Sequence, residues 1–231
     1  MDLIFPQRCP VCDKIVMPRG GEICPDCEKS LKVVGNSYCV KCGKPMKMER
    51  KDRCNDCRNR EHSFDLCRSA FVYNDAMRKS IYRLKYNGRR EYASYLGRRM
   101  AEELSDVIHA NHPDAIIPVP MYKRKEKKRG YNQAYLLAKM LSEYTNIPVR
   151  TDVVIRCRNT KIMRSLSARE RENNLKKAFK IVGDSVKLTN IVLVDDIYTT
   201  GSTADAVARV LKAAGVERVL VASLSTGIID G

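Results

Sequence analysis

Two carboxylates and a run of small hydroxyl side chains fall within one short stretch, residues 191–204. Residues 191–194 (Ile-Val-Leu-Val) are apolar, Asp195 and Asp196 follow, and Thr199, Thr200, Gly201, Ser202 and Thr203 precede a helical pattern beginning near Ala204. The apolar run reads as a buried strand and the hydroxyl segment as the loop that opens a helix. Successive backbone N–H groups, hydroxyls and the positive end of a helix are what a phosphate binds. Two adjacent carboxylates would repel that anion unless they served another part of the same ligand, and carboxylates accept hydrogen bonds from a vicinal diol. A ribose 5-phosphate meets both demands, with its phosphate on residues 199–203 and its 2- and 3-hydroxyls on Asp195 and Asp196. An apolar strand ending in Asp-Asp could also be the magnesium-binding strand of a P-loop NTPase, but no Gly-x-x-x-x-Gly-Lys-Ser/Thr occurs in the chain.

The other reactive groups lie near the N-terminus. Eight of the ten cysteines form four Cys-x-x-Cys pairs, Cys9/Cys12, Cys24/Cys27, Cys39/Cys42 and Cys54/Cys57, which begin 15 residues apart throughout. The two-residue gap lets a turn present both sulfurs to one tetrahedral metal, and eight thiolates make two four-sulfur sites. Two structural Zn2+ ions are expected, since iron–sulfur clusters usually show tighter or unequal spacings. Apolar residues are too sparse here to fold the segment without a cross-link, so metal binding would supply folding energy. Sequential pairing would give two successive ribbons and alternating pairing a cross-brace; the sequential arrangement is the favoured one. Cys67 and Cys157 stand outside the pattern and read as small buried hydrophobes.

The elements that must position these groups can be read from periodicity. A small cysteine-rich domain is expected over residues 1–62 and a larger one over 63–231. In the larger one, residues 69–73 read as a strand, and Met77, Ile81 and Leu84 recur at helical spacing. A longer helix over about 91–110 places Leu96, Met100, Leu104, Val107 and Ile108 on one face. Strands are expected at 115–117, 149–155, 191–194 and 219–224, and helices around Leu136 to Leu141, within 166–177 and over about 203–214. Strands alternating with helices imply a mainly parallel sheet covered on both faces, with ligands beyond the carboxyl ends of its strands.

The strand, Asp-Asp and hydroxyl loop match the signature of phosphoribosyltransferases that bind phosphoribosyl pyrophosphate. With four Cys-x-x-Cys pairs in front, the chain resembles the ComF family of ComFC-like competence proteins over essentially its full length. Further matching stretches are Leu-Lys-Tyr-Asn-Gly-Arg at 84–89, Val119-Pro120, Arg-Gly-Tyr-Asn-Gln-Ala at 129–134, and Leu166-Ser167 through Glu170-Arg171, Asn174-Leu175 and Ala178-Phe179. Met163 stands where the family usually has Gln, and Tyr198 where it has a small aliphatic residue. The resemblance implies an α/β fold of the type I phosphoribosyltransferase kind, a mainly parallel sheet flanked by helices, preceded by a small double zinc ribbon. It implies phosphoribosyl pyrophosphate with Mg2+ as ligand, and Asp195 and Asp196 as catalytic residues. The 5-phosphate would lie on Thr199, Thr200, Gly201, Ser202 and Thr203, and the pyrophosphate on Val119-Pro120 with Arg124 and Arg129. The segment 156–174 would be a flap that shields the reaction from water, with Arg158, Arg164 and Arg171 closing on the diphosphate. No segment reads as a hood for a nucleobase, so the acceptor is not indicated.

The chain carries 43 Lys+Arg against 27 Asp+Glu, a formal charge of +16. Residues 63–231 hold 30 and 18 of these, so the excess belongs mainly to the larger domain. Lys85, Arg89, Arg90, Lys123, Lys125, Lys127 and Lys128 are candidates for nucleic-acid contact. Tyr82, Tyr86, Tyr92, Tyr95, Tyr122 and Tyr131 lie among them, either as stacking platforms for single strands or as helix-to-sheet packing. No apolar run approaches the roughly 18 residues of a membrane span, and residues 1–6 leave no room for a secretory signal before Cys9. A cytoplasmic chain is expected, its cysteines thiols or metal ligands. Two functions follow. One, implied by the family, is DNA uptake in natural transformation, handling single-stranded DNA with a competence helicase at the inner-membrane uptake machinery. The other is an active phosphoribosyltransferase in nucleotide synthesis or salvage.

Overall fold

The computed structural model describes residues 6–17, 20–46, 52–159, 177–182 and 187–227. The helix expected within 166–177 lies outside them, as do Met163, Arg164 and Arg171. In chain order the elements are α1 (Pro25–Ser30), α2 (Asn55–Asn59), β1 (Leu66–Val72), α3 (Asp75–Tyr86), α4 (Tyr92–His109), β2 (Ala115–Pro118) and α5 (Lys123–Arg129). There follow α6 (Gln133–Thr145), β3 (Val154–Arg156), β4 (Phe179–Ile181), β5 (Asn190–Tyr198), α7 (Ser202–Ala213) and β6 (Arg218–Thr226).

Four parallel strands form the main sheet in the order β1-β6-β5-β2. In β5, Val192 and Val194 enter the core on the α3, α4 and α6 side, and Ile191 and Leu193 enter the α7 side. All four are at most 1% exposed. This double-faced burial is why the strand is a continuous apolar run rather than an alternating one. The α/β architecture is the one expected from the strand and helix pattern.

Two segments differ from expectation. The strand expected at 149–155 is divided. Val149 makes a single parallel bridge with Ile116 at the β2 edge, and β3 pairs antiparallel with β4 in a separate two-stranded sheet. Between them Arg150 holds Asp152 through two bonds, Nε to Oδ1 at 2.7 Å and an Nη to Oδ2 at 2.8 Å, and the chain turns. The basic run 123–129 folds as a helix, α5, although it buries no residue. It stops at Gly130, whose φ of 87° lets its N–H reach Glu126 O.

The cysteine-rich segment repeats one unit after 30 residues. In each unit a tight turn carries the first pair, and the third cysteine, Cys24 or Cys54, is the N-cap of a short helix, α1 or α2. Asp13 and Gly43 occupy equivalent places and both have positive φ, 65° and 68°. Their difference explains the docking. Asp13 reaches α4, accepting from Tyr92 Oη and pairing with Arg89 at 3.2 Å. At Gly43 a Cβ would lie 2.5 Å from Cys67 O, so the second unit meets β1 only because the side chain is absent. The first unit (Cys9, Val11, Val16, Ile23, Leu31) joins the core of α3 and α4, and the second (Cys39, Cys42, Cys54, Cys57) joins the core beneath α7. The chain between them runs along β1, with Val34 N bonded to Ala70 O and Val72 N to Lys32 O, which covers that sheet edge. Cys67 is buried and Cys157 half-buried.

Candidate functional site

The carboxyl ends of β5 and β2 and the start of α7 bring the sequence-derived residues together. Asp196 is 4% exposed, and Lys85, from the last turn of α3, places its ammonium 2.5 Å from Asp196 Oδ2. The contact is a largely buried ion pair. Tyr131 Oη donates to Leu84 O at 2.6 Å and so fixes the helix end that carries Lys85. Burial works against the Lys85 charge, but the Asp196 carboxylate outweighs it and holds the ammonium above its usual range. Asp195 accepts from Asp196 N at 2.8 Å. Burial, with the Asp196 charge adding to it, pushes the Asp195 carboxyl up to about 8, against the pull of Lys85.

The loop beyond these acids presents Thr199 and Thr200 to solvent, and Thr200 Oγ1 lies 2.9 Å from Ser202 Oγ. Gly201 is the N-cap of α7, with φ of 75° and no side chain capping the helix, so the first N–H groups are left to the loop. A Cβ at Gly201 would lie 2.6 Å from Tyr198 Oη and 3.1 Å from its ring. Tyr198 thus forms the floor of the loop, and both its closeness and the positive φ demand glycine.

The eight paired cysteines gather as two groups, Cys9/Cys12/Cys24/Cys27 and Cys39/Cys42/Cys54/Cys57, with the four sulfurs of each within 4.8 Å of one another. The grouping is the sequential one. Cys12 and Cys24 sulfurs are 3.8 Å apart and those of Cys42 and Cys54 3.7 Å. Four thiolates at about 2.3 Å from one zinc stand about 3.8 Å from each other, so the residues fit tetrahedral zinc. The Cys42 thiol donates to Cys39, and together with the backbone N–H groups of Cys42 and Cys54 it brings Cys39 down to about 4 despite burial. A stabilised thiolate is what a zinc ligand requires.

A family model described as "Double zinc ribbon domain" matches residues 1–58. The chain is 34% identical over 177 residues to "Competence protein F" of Haemophilus influenzae, covering 74% of this chain and 77% of that one. It is 32% identical to "Competence protein ComFC" of Bacillus subtilis over 75% and 70% of the two chains. It is also 34% identical to "DNA utilization protein YhgH" of Escherichia coli K12 over 73% and 75%. The chain belongs to the competence protein F family. Solved structures that resemble parts of it include the allosteric regulatory enzyme of purine biosynthesis, at TM-score 0.38 and 23% identity over 57% of this chain and 25% of that one. Another is orotate phosphoribosyltransferase from Aeropyrum pernix, at 0.37 and 18% over 69% and 80%.

Not all the basic residues singled out in this competence-family chain face solvent. Lys85 is in the site, on Asp196. Arg89 is tied to Asp13 and Glu91, whereas Arg90, Lys123, Arg124, Lys125, Lys127 and Lys128 are exposed. Tyr92 and Tyr95 are buried, bonded to Asp13 and to Glu28, so they dock the first ribbon. Tyr82 and Tyr86 are 57% and 66% exposed with ring centroids 5.0 Å apart, and the Arg129 guanidinium lies 5.4 Å over Tyr86. Arg129 also donates to Gln133. Val119 is held by N–H to Val194 O at 2.8 Å and by Asn132 Nδ2 on its carbonyl at 3.0 Å, which fixes the turn into Pro120. Arg158 is exposed.

Arg156 was not singled out from sequence except as the first residue of the expected flap. Its guanidinium lies 5.4 Å over the Phe179 ring, and the Asp195 carboxylate opposes the loss of charge that burial imposes. It lines a cavity of about 360 Å3 with Pro118, Pro120, Met121, Asn132 and Tyr135. The one sequence signal was position, a basic residue where a strand enters the flap.

Proposed function

We propose that this chain is a zinc-containing, phosphoribosyl pyrophosphate-binding member of the competence family that handles single-stranded DNA during uptake, with a helicase as partner. The observation that carries the reading is the convergence of Asp195, Asp196 and the open loop 199–203 at the carboxyl end of β5. Such a loop at a helix start suits a 5-phosphate, and the carboxylates suit the ribose diol. Asp195 and Asp196 would hold Mg2+ bound with the ligand, which would supply positive charge to offset that of the leaving group. Arg156 and the exposed cations of α5 stand where a pyrophosphate beyond Val119-Pro120 would meet them.

The names of the relatives support a role with DNA, and the chain offers a surface for it. Tyr82, Tyr86 and Arg129 make an aromatic and cationic ladder beside α5, which suits single strands. The cavity beside Pro118-Pro120 favours a second reading, transfer of the phosphoribosyl group to a small acceptor held there. Calorimetric titration with phosphoribosyl pyrophosphate and Mg2+ tests the first proposal: saturable binding is expected, lost in Asp196→Asn, and no heat at millimolar ligand would overturn it. Pyrophosphate release across a panel of bases and amines tests the second.

A further inference from the structure

Asp205 lies in the first turn of α7, 3% exposed, and points back toward the cysteine-rich segment rather than into the loop. Its carboxylate gathers three donors from the chain that leaves the second zinc ribbon. Ser63 N meets Oδ1 at 2.8 Å, His62 Nδ1 meets Oδ2 at 2.8 Å, and an Arg60 Nη meets the same oxygen at 3.2 Å. These residues begin three positions after Cys57, the last ligand of the second ribbon. A second row of contacts runs parallel to the first. The His62 ring stacks on Phe64 at 4.7 Å, the Phe64 ring meets Tyr198 edge-on at 6.0 Å, and Tyr198 underlies Gly201. Asp205 N closes the first turn of the helix on Gly201 O at 2.8 Å. Lys41, between Cys39 and Cys42, donates to Phe64 O and places its ammonium 5.3 Å over that ring.

We propose that Asp205 is a positioning residue through which the second zinc ribbon fixes the loop 199–203, so that the affinity of the loop for a phosphate depends on the ribbon that precedes it. The geometry gives the reason. A loop of small residues around a glycine has little packing of its own, and its N–H groups converge on an anion only if both ends are held. One end is β5, set by the sheet. The other is the first turn of α7, and the side chain anchoring that turn from outside the helix is Asp205, whose partners are positioned by the cysteines on either side of Lys41 and by Cys57. This rests on the reading of the loop as a phosphate site.

The test uses the full zinc-loaded chain, with ribose 5-phosphate and pyrophosphate titrated separately. In the reading above only the first ligand is held by the loop, the second meeting Arg156 and the cations of α5. In Asp205→Asn one oxygen acceptor remains, and in Asp205→Ala none does, leaving buried donors unsatisfied. Ribose 5-phosphate affinity should fall about tenfold or more in Asp205→Ala, with pyrophosphate affinity and two zinc per chain retained. His62→Ala should weaken ribose 5-phosphate binding in the same direction and His62→Asn, which restores a donor near the Nδ1 position, should recover it. Equal ribose 5-phosphate affinity in wild type and either alanine variant would overturn the proposal, as would a parallel loss of both ligands in a variant that retains zinc. If Asp205→Ala does not fold, the two His62 variants decide the matter by the same criteria. Absence of ribose 5-phosphate binding in the wild type would instead sink the phosphate reading on which the proposal stands.

Discussion

Lys85→Met tests whether the candidate site holds its own cation. The substitution keeps most of the unbranched stem and removes its charge. Asp196 would then be a carboxylate 4% exposed, beside Asp195, with its nearest ammonium gone. Removing one partner of a buried ion pair costs about 3–5 kcal/mol. The Lys85 side chain is 19% exposed, which puts the cost near the lower limit, about 3 kcal/mol. For a chain of this size about 1 kcal/mol shifts Tm by 2–4 °C, so a fall of about 6–12 °C is expected. Asp196→Asn removes the other charge, and the double variant should recover most of the loss because no buried charge is left alone. Urea and thermal unfolding of the four proteins at one pH form a double-mutant cycle, with an expected coupling of about 2 kcal/mol. A single Lys85→Met variant within about 0.5 kcal/mol of wild type, or additive losses in the double variant, would refute the reasoning.

Other expectations follow from the same geometry. Metal analysis should return about two zinc per chain, and Cys39→Ser/Cys42→Ser about one, with the first ribbon still loaded; values near zero in the wild type would refute the two-site assignment. Because burial raises Asp195, the folded chain keeps a proton that the unfolded chain has released, so stability falls as pH rises from the ordinary carboxylate range toward about 8. Asp195→Asn should remove that slope and melt higher than wild type at pH 8, with the gap narrowing toward pH 4; identical pH profiles would refute the assignment. Replacing Lys125, Lys127 and Lys128 with Gln should cost no stability and raise it slightly, since α5 buries nothing and each change relieves a like-charge pair one turn apart. The same change should weaken single-stranded DNA binding and flatten its logarithmic salt dependence by about 0.7 for each phosphate no longer neutralised. Tyr86→Ala should cost about 1–3 kcal/mol of single-strand affinity with the salt slope unchanged.

What could be read from sequence was what local pattern determines. The apolar run 191–194 announced a strand buried on both faces, and the regular Cys-x-x-Cys spacing announced two four-sulfur groups. The helices carrying Leu84, Leu96 and Leu137 follow from 3.6-residue periodicity. Elements set by other forces were not legible. Helix α5 has no apolar face, and its pairs Lys123/Lys127, Arg124/Lys128 and Lys125/Arg129 are like charges one turn apart, which disfavour a helix. The break between Val149 and β3 is made by a side-chain pair, Arg150 with Asp152. Lys85 read as one more surface base because its partner is 111 residues away, and nothing local distinguishes a lysine facing solvent from one facing a carboxylate. Asp205 is not legible for the same reason: its donors come from Arg60, His62 and Ser63, brought to it by the way the second ribbon docks.

The charge of +16 takes a different meaning once its members are placed. Two zinc ions on eight thiolates lower the net by four units, which cancels the excess of the cysteine-rich segment. In the rest of the chain many cations are already answered. Lys85 faces Asp196, Arg89 faces Asp13, and Arg98 and Arg99 face Glu22, Glu102 and Glu103. Two of these pairs, Arg89–Asp13 and Arg98–Glu22, tie the first ribbon to α4 and the turn before it, so they are part of the fold. The cations of α5 are not answered in this way. It sets six bases against the single acid Glu126, and Lys123, Arg124, Lys125, Lys127 and Lys128 are exposed with no acidic partner among the described residues. Concentrated like charge destabilises the structure that carries it, and here it sits on a helix without an apolar anchor, between the exposed Tyr82–Tyr86 pair and the turn at Val119-Pro120. Self-repulsion concentrated on that helix is what the proposed contact with a polyanion would relieve.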